Sequence, residues 1–410
     1  MRVAIITHAF PPSNHANGKR PSYLVKALLD KGWSVDVYTS MLGCDGAVIE
    51  SMNHPNLTIR RKNDLVVNGL NKLKFIAPLH RAVARVIAAV IWPDFYALWA
   101  KNILKQMAKA DSYDRIVCFV FPPSVYLASR QPNLVDRKWV FDLQESVTPQ
   151  YLLSPRRSPL QRKRQAELTA LEKQALGQAG HVVYTAATNQ EAYIDQNLTD
   201  KDKTSHIPYF YDDKAFPTVQ LDVPDLFEIR YFGTFDWSGS RSPRQFLTNL
   251  AEFLATCPEA RSKTKFSFYG SWLTEHDQLI KDLGLEDVTS IHSAVDYGKY
   301  LELVSSAPVL LLVVAPEHNL FMPSKIVDYF AADRPILAYV PGKSEMQNVL
   351  EEANMAGQVI DTSDATQGVN VLESLWSDYL IGDLNNKDSD TAHWSSSVQL
   401  ARYIELLDKL

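Results

Sequence analysis

The sequence predicts an α/β protein built from two Rossmann-like, doubly wound parallel-sheet domains, with a C-terminal helix that packs back on a neighbouring domain. Its 410 residues exceed what one ordinary hydrophobic core holds. Short apolar runs of strand length alternate with amphipathic helical segments in both halves, which is the pattern of parallel α/β domains. The predicted domains are 1–210 and 211–385, followed by a polar connection and closing helix over 386–410.

Composition sets the class of protein. Hydrophobic residues make up 46% and charged residues 22%, as in globular soluble proteins. The three cysteines, Cys44, Cys118 and Cys257, are far apart, so neither a disulfide framework nor a metal cluster is indicated. No apolar run approaches the ~20 residues of a membrane span, and the N-terminal run is too short for a signal-peptide core. We therefore expect a cytoplasmic protein.

Charge is unevenly distributed along the chain. The net charge is only −5, but residues 55–165 carry 19 Lys and Arg against 7 Asp and Glu. This stretch therefore has an excess of 12 positive charges, and the remainder carries −17. Such asymmetry predicts that one part of the molecule faces an anionic membrane surface or a phosphorylated substrate.

The first domain opens with a strand over 2–7, the loop HAFPPSNHANGKRP, a helix over 22–30 and a strand over 33–39. The loop has a single glycine, Gly18, and lacks G-x-G-x-x-G, so it gives little support for dinucleotide binding. We favour a ligand-facing loop over a solvated connection because its polar side chains are numerous. They are His8, Asn14, His15, Asn17, Lys19 and Arg20.

Residues 79–99 have a different character. A helix over 79–90 has an apolar face opposite Arg81 and Arg85, which fits core packing with a solvated outer side or, less commonly, a helix lying on an anionic membrane. The following stretch, WPDFYALW over 92–99, is rich in aromatic residues. Its rings suit stacking on a sugar or anchoring at an interface.

Carboxylates mark the end of a later strand in the first domain. Strands are predicted over 114–120 and 138–143, and the second ends at Gln144, Glu145 and Ser146. Ligand sites of open α/β sheets lie at the carboxyl ends of strands, so Asp142 or Glu145 is a candidate acid, base or hydroxyl acceptor. A helix cap or a solvated charge is the alternative. A basic helical region over 155–177, a strand over 180–185 and a strand over 206–208 complete the domain.

The second domain begins with a strand over 228–233 that runs into the loop TFDWSGSRSPRQ. Gly233 leaves room for a ligand to approach the backbone, and Arg241 and Arg244 are placed where a diphosphate needs positive charge. A strand over 265–269, a helix over 275–283, a strand over 289–292 and a helix over 296–305 follow. His292 is expected either to contact a ligand or to be a structural histidine.

A buried strand over 308–314 leads to a helix that should start near Pro323. Ser324, Lys325 and Asp328 share one face of this helix. Its first turn suits a phosphate, because unsatisfied N–H groups and the helix dipole favour an anion there. Asp328, one turn later, suits a ribose hydroxyl. The alternative is a surface helix with a solvated polar face. The closing helix over 398–410 should pack through Leu400, Ile404 and Leu407.

The order of these motifs resembles a known family. The opening IITHAFPPSNHANGKRPSYLVKALLDKGWSVDVYT, then FDLQES, IPYF, YFGTFD and MPSKIVDYFAADRPIL, resembles a GT-B glycosyltransferase of the GT4-like, bacterial polysaccharide-assembly type. The resemblance covers essentially the whole chain. It implies that the C-terminal domain binds a nucleotide-sugar and the N-terminal domain an acceptor, with reaction in the cleft, retention of configuration and no metal.

The resemblance also implies roles for residues at matching positions. Arg241 and Lys325 neutralise the donor diphosphate, Asp328 binds the ribose, and Gly18 approaches the donor phosphate and the acceptor. Asp142 and Glu145 stand beside the reacting sugar. The catalytic candidates are thus Asp142, Glu145, Arg241 and Lys325, and the donor-binding candidates are Gly18, Gly233, Arg241, Ser324, Lys325 and Asp328.

The chain departs from the family pattern at three positions. Leu320 stands where the first Glu of E-x7-E is expected, Asp328 is one methylene shorter than the usual Glu, and Asp333 replaces a glycine, which is tolerable because Asp visits the left-handed region.

We expect a UDP- or GDP-sugar donor, a glycan or lipid-linked acceptor at the inner membrane face, no cofactor and no nucleic acid. The alternatives are a nucleotide-sugar 2-epimerase of the same fold and a non-catalytic GT-B protein that binds a glycan or a partner.

Overall fold

A computed structural model describes residues 1–13, 15–42, 52–72, 83, 86–87, 90–110, 112–130, 139–145, 147–149, 158–216, 224–235, 241–386 and 389–410. The chain divides into two compact units. Unit 1 comprises Met1–Pro208 and Gln399–Leu410, and unit 2 comprises Tyr209–Val398. The predicted domains end at 210 and 385, whereas the structural divisions fall after Pro208 and after Val398.

Unit 1 contains a seven-stranded parallel sheet with the strand order β3-β2-β1-β4-β5-β6-β7. β1 lies inside the sheet, third in this order, and pairs in parallel with both β2 and β4. The strands are β1 Arg2–Ile6, β2 Ser34–Ser40, β3 Leu57–Lys62, β4 Arg115–Phe119, β5 Trp139–Leu143, β6 His181–Tyr184 and β7 Thr204–His206. Because all of these strands are parallel, their carboxyl ends lie at the same edge of the sheet.

Helices flank this sheet. They are α1 Lys19–Asp30, α2 Leu65–Lys72, α3 Ala97–Met107, α4 Pro159–Gln178 and α5 Ala187–Asp195. The start of α4 shows why the sequence forms a helix there: Ser158 caps the N–H of Gln161, the Gln161 side chain accepts from the Ser158 N–H, and Pro159 fits the first turn.

Unit 2 contains a six-stranded parallel sheet with the order β10-β9-β8-β11-β12-β13. The strands are β8 Phe227–Thr234, β9 Thr264–Ser271, β10 Thr289–His292, β11 Val309–Val313, β12 Ile336–Val340 and β13 Val359–Asp361. The helices are α6 Arg244–Thr256, α7 Glu275–Asp282, α8 Tyr297–Ser305, α9 Lys325–Ala332, α10 Glu345–Glu352 and α11 Gly368–Leu380. The prediction of two Rossmann-like parallel-sheet domains is confirmed.

The last helix, α12 Ser396–Lys409, packs back on unit 1 as predicted. Tyr403 and Leu407 are buried in the same apolar cluster as Leu24 and Leu28 of α1. The Arg115 guanidinium of β4 donates to the Leu407 carbonyl at 3.0 Å. The terminal helix therefore completes the core of the unit in which the chain began.

Some predicted segments differ in the structure. The helix expected near Pro323 begins at Lys325, and the strand expected over 206–208 is β7, which ends at His206. The polar connection expected after residue 385 is anchored at Trp394, which is 1% exposed and whose ring lies 4.9 Å from that of Phe330.

Several predicted features lie outside the described residues. They are Asn14, Cys44, Arg81, Arg85 and Ser146, most of the helix over 79–90 and the start of the basic region at 155–157.

Candidate functional site

Two glycines lie side by side where β8 and β9 of unit 2 end. Gly233 and Gly270 are register partners and have φ of +137° and +148°, which side-chain-bearing residues rarely adopt. A Cβ atom on Gly270 would lie 1.8 Å from the Gly233 carbonyl oxygen, and one on Gly233 would lie 3.2 Å from Lys325 Nζ. This edge of the sheet therefore presents bare backbone that a ligand can approach closely.

Lys325, the first residue of α9, reaches over this glycine pair. Its Nζ donates to the Phe232 carbonyl at 2.8 Å and lies 4.3 Å from the centre of the Tyr231 ring. Burial, and then the nearby positive charge of Arg241, lower the pKa of Lys325 to about 7. The structure thus brings together the two cations that the sequence predicts. Two cations held close repel each other, and a bound anion would relieve that repulsion.

The start of α9 adds to the positive potential. Ser324 occupies the N-cap position and is partly exposed, and among the described residues its side chain makes no capping hydrogen bond. The first-turn N–H groups and the positive end of the helix dipole lie next to Lys325, which suits a phosphate. At the other end of α9, Asp333 has φ 51° and ψ 50°, so the expected left-handed Asp is confirmed.

Asp328, the predicted ribose acceptor, lies one turn into α9 and is 7% exposed. Its Oδ2 accepts a hydrogen bond from the Tyr300 hydroxyl of α8 at 3.1 Å. The Tyr300 ring meets the Phe232 ring edge-on at 5.1 Å, next to the carbonyl that Lys325 contacts. Asp328 is therefore held close to the Lys325 site by an aromatic partner that the sequence did not single out.

In unit 1, Asp142 lies near the end of β5 but is 0% exposed. Both of its carboxylate oxygens accept from Arg20 Nε, at 3.2 and 3.0 Å. Arg20 also donates to the carbonyls of Pro208 and Ile207 at 2.7 and 2.8 Å. Full burial raises the pKa of Asp142, and the Arg20 charge opposes that shift. Asp142 thus ties α1, β5 and the end of the unit 1 segment together, and it has no oxygen exposed to a substrate.

The other two unit 1 candidates are placed differently. Glu145 is exposed at the end of β5, and partial desolvation by the protein around it raises its pKa. Gly18 is buried at the start of α1 with φ −86°, and an added Cβ would meet Ala9 no closer than 3.4 Å. Gly18 therefore occupies a conformation that other residues also adopt, unlike Gly233.

One buried acid beside the loop that precedes α9 was missed by sequence reasoning. Glu345, the first residue of α10, is 2% exposed, and its N–H donates to the Asn319 carbonyl at 2.9 Å. It therefore lies beside the loop that carries Glu317 and Leu320. The N-cap residue Ser344 marks a helix start in the sequence, but nothing in that pattern brings Glu345 to a loop 26 residues earlier.

The described part of the chain contains neither a cluster of metal ligands nor a helix able to span a membrane. No group of three or more His, Cys, Asp or Glu is arranged to hold a metal ion within the described ranges. No helix of the described chain combines the length and apolar character needed to cross a bilayer.

The structure is similar to solved glycosyltransferase structures over its whole length. Sucrose-phosphate synthase from Thermosynechococcus elongatus matches with a TM-score of 0.68 and 17% identity, covering 100% of this chain and 98% of that one. The E. coli trehalose-6-phosphate protein bound with UDP-2-fluoro glucose matches with a TM-score of 0.62 and 14% identity, covering 100% and 99%.

WaaG, a glycosyltransferase involved in lipopolysaccharide biosynthesis, matches with a TM-score of 0.61 and 15% identity, covering 99% and 98%. No protein-family model matches the sequence. No curated protein sequence matches it either. The chain therefore has the GT-B fold, as the sequence resemblance implied.

Proposed function

We propose that this protein is a glycosyltransferase that moves a sugar from a nucleoside-diphosphate sugar to a hydroxyl of an acceptor. The observation that carries the proposal is the partly exposed Lys325 ammonium, which lies above the glycine pair at the ends of β8 and β9 and feels the positive charge of Arg241. Two cations, a helix N-terminus and bare backbone at one sheet edge are suited to a diphosphate. The GT-B fold supports the same assignment.

The chemistry follows from the charge on the leaving group. When the bond from the sugar carbon to the donor diphosphate breaks, negative charge develops on the diphosphate oxygen. Lys325 and Arg241 then stabilise that charge from fixed positions, and the dipole of α9 adds to their effect. A diphosphate next to Lys325 also raises the pKa of its ammonium from about 7, so the bound state carries the full charge.

The finer parts of the proposal rest on the sequence resemblance. We assign a UDP- or GDP-sugar donor, retention of configuration, no cofactor and no metal, and an acceptor that is a glycan or lipid-linked sugar. Glu145, which is exposed, remains the unit 1 carboxylate proposed to face the acceptor. Asp142 is proposed to position α1 and β5 through Arg20 instead of acting on substrate.

A thermal-shift panel of UDP, GDP, ADP and their sugars tests the donor assignment, because a ligand that binds only the folded state raises the Tm. At least one nucleotide or its sugar should raise the Tm of the wild type, and Lys325→Ala and Arg241→Ala should reduce that shift. Lys281→Ala, at an exposed lysine of α7 in the same unit, is the matched control. An unchanged shift in Lys325→Ala would contradict the site.

Leu320 favours a second candidate, a GT-B protein that binds nucleotide or glycan without turnover. The family pattern places a carboxylate there, and the loop carries a leucine instead. Release of free nucleoside diphosphate from the nucleotide-sugar that binds distinguishes the two. Turnover that is lost in Lys325→Ala supports the transferase. Tight donor binding without release, across a panel of sugar and lipid-linked acceptors, supports the binding protein.

We further propose that unit 1 contacts an anionic membrane surface from the cytoplasmic side. Lys101, Lys105 and Lys109 are exposed on or just after α3, and Arg162 and Lys163 are exposed on α4. Exposed basic side chains near an anionic leaflet contribute about 1 kcal/mol each.

Flotation with vesicles containing phosphatidylserine or phosphatidylglycerol tests the membrane proposal. Reversing Arg162, Lys163 and Arg164 to Glu should reduce binding, whereas reversing the exposed Lys201 and Lys203 should not. Wild-type protein that stays unbound at low salt would contradict it.

A further inference from the structure

Polar and aromatic side chains gather where three strands of the unit 1 sheet end. His8, Asp64 and Phe121 each follow the end of a strand by two residues, after β1, β3 and β4. Tyr96 and Trp99, at the start of α3, contact the same place. We call these five residues the His8 cluster. It lies at the carboxyl edge of a parallel sheet, where α/β proteins bind ligands.

The ring of His8 is enclosed by aromatic side chains. It meets Tyr96 at 4.6 Å, Trp99 at 4.9 Å and Phe121 at 6.4 Å between ring centres, each time edge-on. Its backbone carbonyl accepts from the hydroxyls of Ser40 at 2.7 Å and Thr39 at 3.2 Å, at the end of β2. The position of His8 is therefore fixed by the sheet as well as by the rings.

Four buried polar atoms of this cluster have no hydrogen-bond partner within the described residues. They are both ring nitrogens of His8, Oδ2 of Asp64 and Nε1 of Trp99. His8, Asp64 and Trp99 are 4%, 6% and 1% exposed. The distance of 3.5 Å from His8 Nε2 to Asp64 Oδ2 is too long for a good hydrogen bond.

Asp64 Oδ1, by contrast, accepts from the Val67 N–H at 3.1 Å, which holds the carboxylate at the start of α2. Leaving buried polar atoms unpaired costs about 1–3 kcal/mol each, so native proteins rarely do it without an occupant such as water or a ligand. The occupant must both donate, to Asp64 Oδ2, and accept, from the indole N–H of Trp99. A hydroxyl group does both.

We propose that the His8 cluster binds a hydroxyl group of a neutral sugar or polyol, which is the acceptor if the proposed function holds. The hydroxyl lies between Asp64 Oδ2, His8 and Trp99 Nε1, and the aromatic rings pack against the C–H faces of the sugar. Tyr96 and Phe121 are partly exposed and border the solvent side. The carboxylates of Asp64 and Asp94 lie close enough to Tyr96 to raise the pKa of its hydroxyl, after the larger effect of desolvation. Such negative charge disfavours a phosphate at this point.

Two stretches that the sequence marks separately for ligand contact therefore meet in one place. The loop after β1 supplies His8, and the aromatic turn over 92–99 supplies Tyr96 and Trp99. Asp64 completes the set but was missed, because the basic sequence of β3 is not typical of a buried strand and gives no sign that Asp64 follows a strand end.

The test uses the full chain labelled with ¹⁵N-tryptophan and no nucleotide. The probes are the methyl glycosides of glucose, galactose, mannose and N-acetylglucosamine, together with glycerol. Trp99→Phe identifies the indole N–H signal of Trp99. At least one probe should shift that signal saturably, and Asp64→Asn should raise its Kd about tenfold or more, as expected for a lost hydrogen bond to a charged group.

Asp36→Asn is the matched control. Asp36 is also 6% exposed and lies in unit 1, but it pairs with Arg2 and Tyr113 at the other end of β2. It should leave the probe affinity unchanged. If Asp64→Asn does not fold, Trp99→Phe provides the second variant, which retains an aromatic ring but removes the indole N–H. It should weaken probe binding, as measured by saturation transfer from protein to probe.

The proposal is overturned if none of the probes shifts the Trp99 signal, since the unpaired atoms are then satisfied by water alone. It is also overturned if Asp64→Asn and Asp36→Asn affect probe binding equally. Failure of the proposed function looks different. If the protein binds glycosides at Trp99 but no nucleotide in the thermal-shift panel, the His8 cluster is supported and the transferase assignment is contradicted. If it binds a nucleotide but no glycoside at Trp99, the transferase assignment stands and the His8 site is contradicted.

Discussion

Donor binding should be accompanied by proton uptake at Lys325. The pKa of its ammonium in the unliganded protein is about 7, so about half of the molecules carry a neutral Lys325 at pH 7. A diphosphate placed against Nζ favours the charged form and raises this pKa. Binding of one donor molecule at pH 7 should therefore take up about 0.5 proton, rising towards one near pH 8.5 and falling towards zero near pH 5.5.

The assay is calorimetric titration in two buffers of different ionisation enthalpy, which gives the proton number from the difference in apparent heat. A nucleotide-sugar is used rather than a free nucleoside diphosphate, because a terminal phosphate itself titrates near pH 6. The donor Kd should rise by up to tenfold per pH unit above pH 7, until the pH reaches the raised pKa of the bound state. Below pH 6 it should be constant.

Lys325→Met is the informative variant. It should raise the donor Kd by about 10–100-fold, because it removes a charged hydrogen-bond donor, and it should abolish the proton uptake. Without ligand it should raise the Tm, more at pH 6 than at pH 9, because the cost of removing the Lys325 charge from water is full below the lowered pKa of about 7 and shrinks as the pH rises towards the ordinary value of 10.5. No proton uptake by the wild type at pH 7, with a Kd that is constant from pH 6 to 9, would refute this account of Lys325.

Three further predictions concern stability. Gly270→Ala should lower the free energy of unfolding, measured by chemical denaturation, by more than about 3 kcal/mol, because its Cβ would lie 1.8 Å from a carbonyl oxygen. Gly18→Ala should change the free energy of unfolding by less than about 1 kcal/mol. Equal effects of the two substitutions would contradict this expectation. Asp142→Asn should cost about 3–5 kcal/mol by leaving the Arg20 charge buried without its partner, and a loss of activity at full stability would instead indicate a catalytic role. Burial raises the pKa of Glu172, so its contribution to stability is greatest at low pH and is lost as pH rises through the raised value. Glu172→Gln should flatten the dependence of the free energy of unfolding on pH above the ordinary value of 4.5, and an unchanged slope would refute this.

Much of the fold is predictable from the sequence because strands buried in parallel sheets are short apolar runs and their helices are amphipathic. The run over 308–314 contains β11, and the pattern after it places a helix whose first turn carries Ser324 and Lys325. β3 escaped prediction because its sequence, LTIRRK, is partly exposed and basic, which is not the composition of a buried strand. The burial of Trp394 was not predicted, because this single aromatic residue stands among polar neighbours and gives no apolar pattern, although its ring packs in the core beside Phe330.

For the candidate site, the sequence pattern alone indicates which residue types stand at strand ends and helix starts: Gly233, Ser324, Lys325 and Asp328 in unit 2, and His8 and Asp142 in unit 1. What each of these residues contacts depends on long-range packing, because burial and charge proximity are set by segments far apart in the chain. Long-range packing pairs Asp142 with Arg20, 122 residues away in the chain. It therefore buries a carboxylate whose position at a strand end predicts a catalytic role. The same long-range packing places Lys325 above the backbone of β8, 93 residues earlier in the chain. The pKa of Lys325 is lowered there to about 7, so a bound diphosphate would change the charge of this side chain near neutral pH.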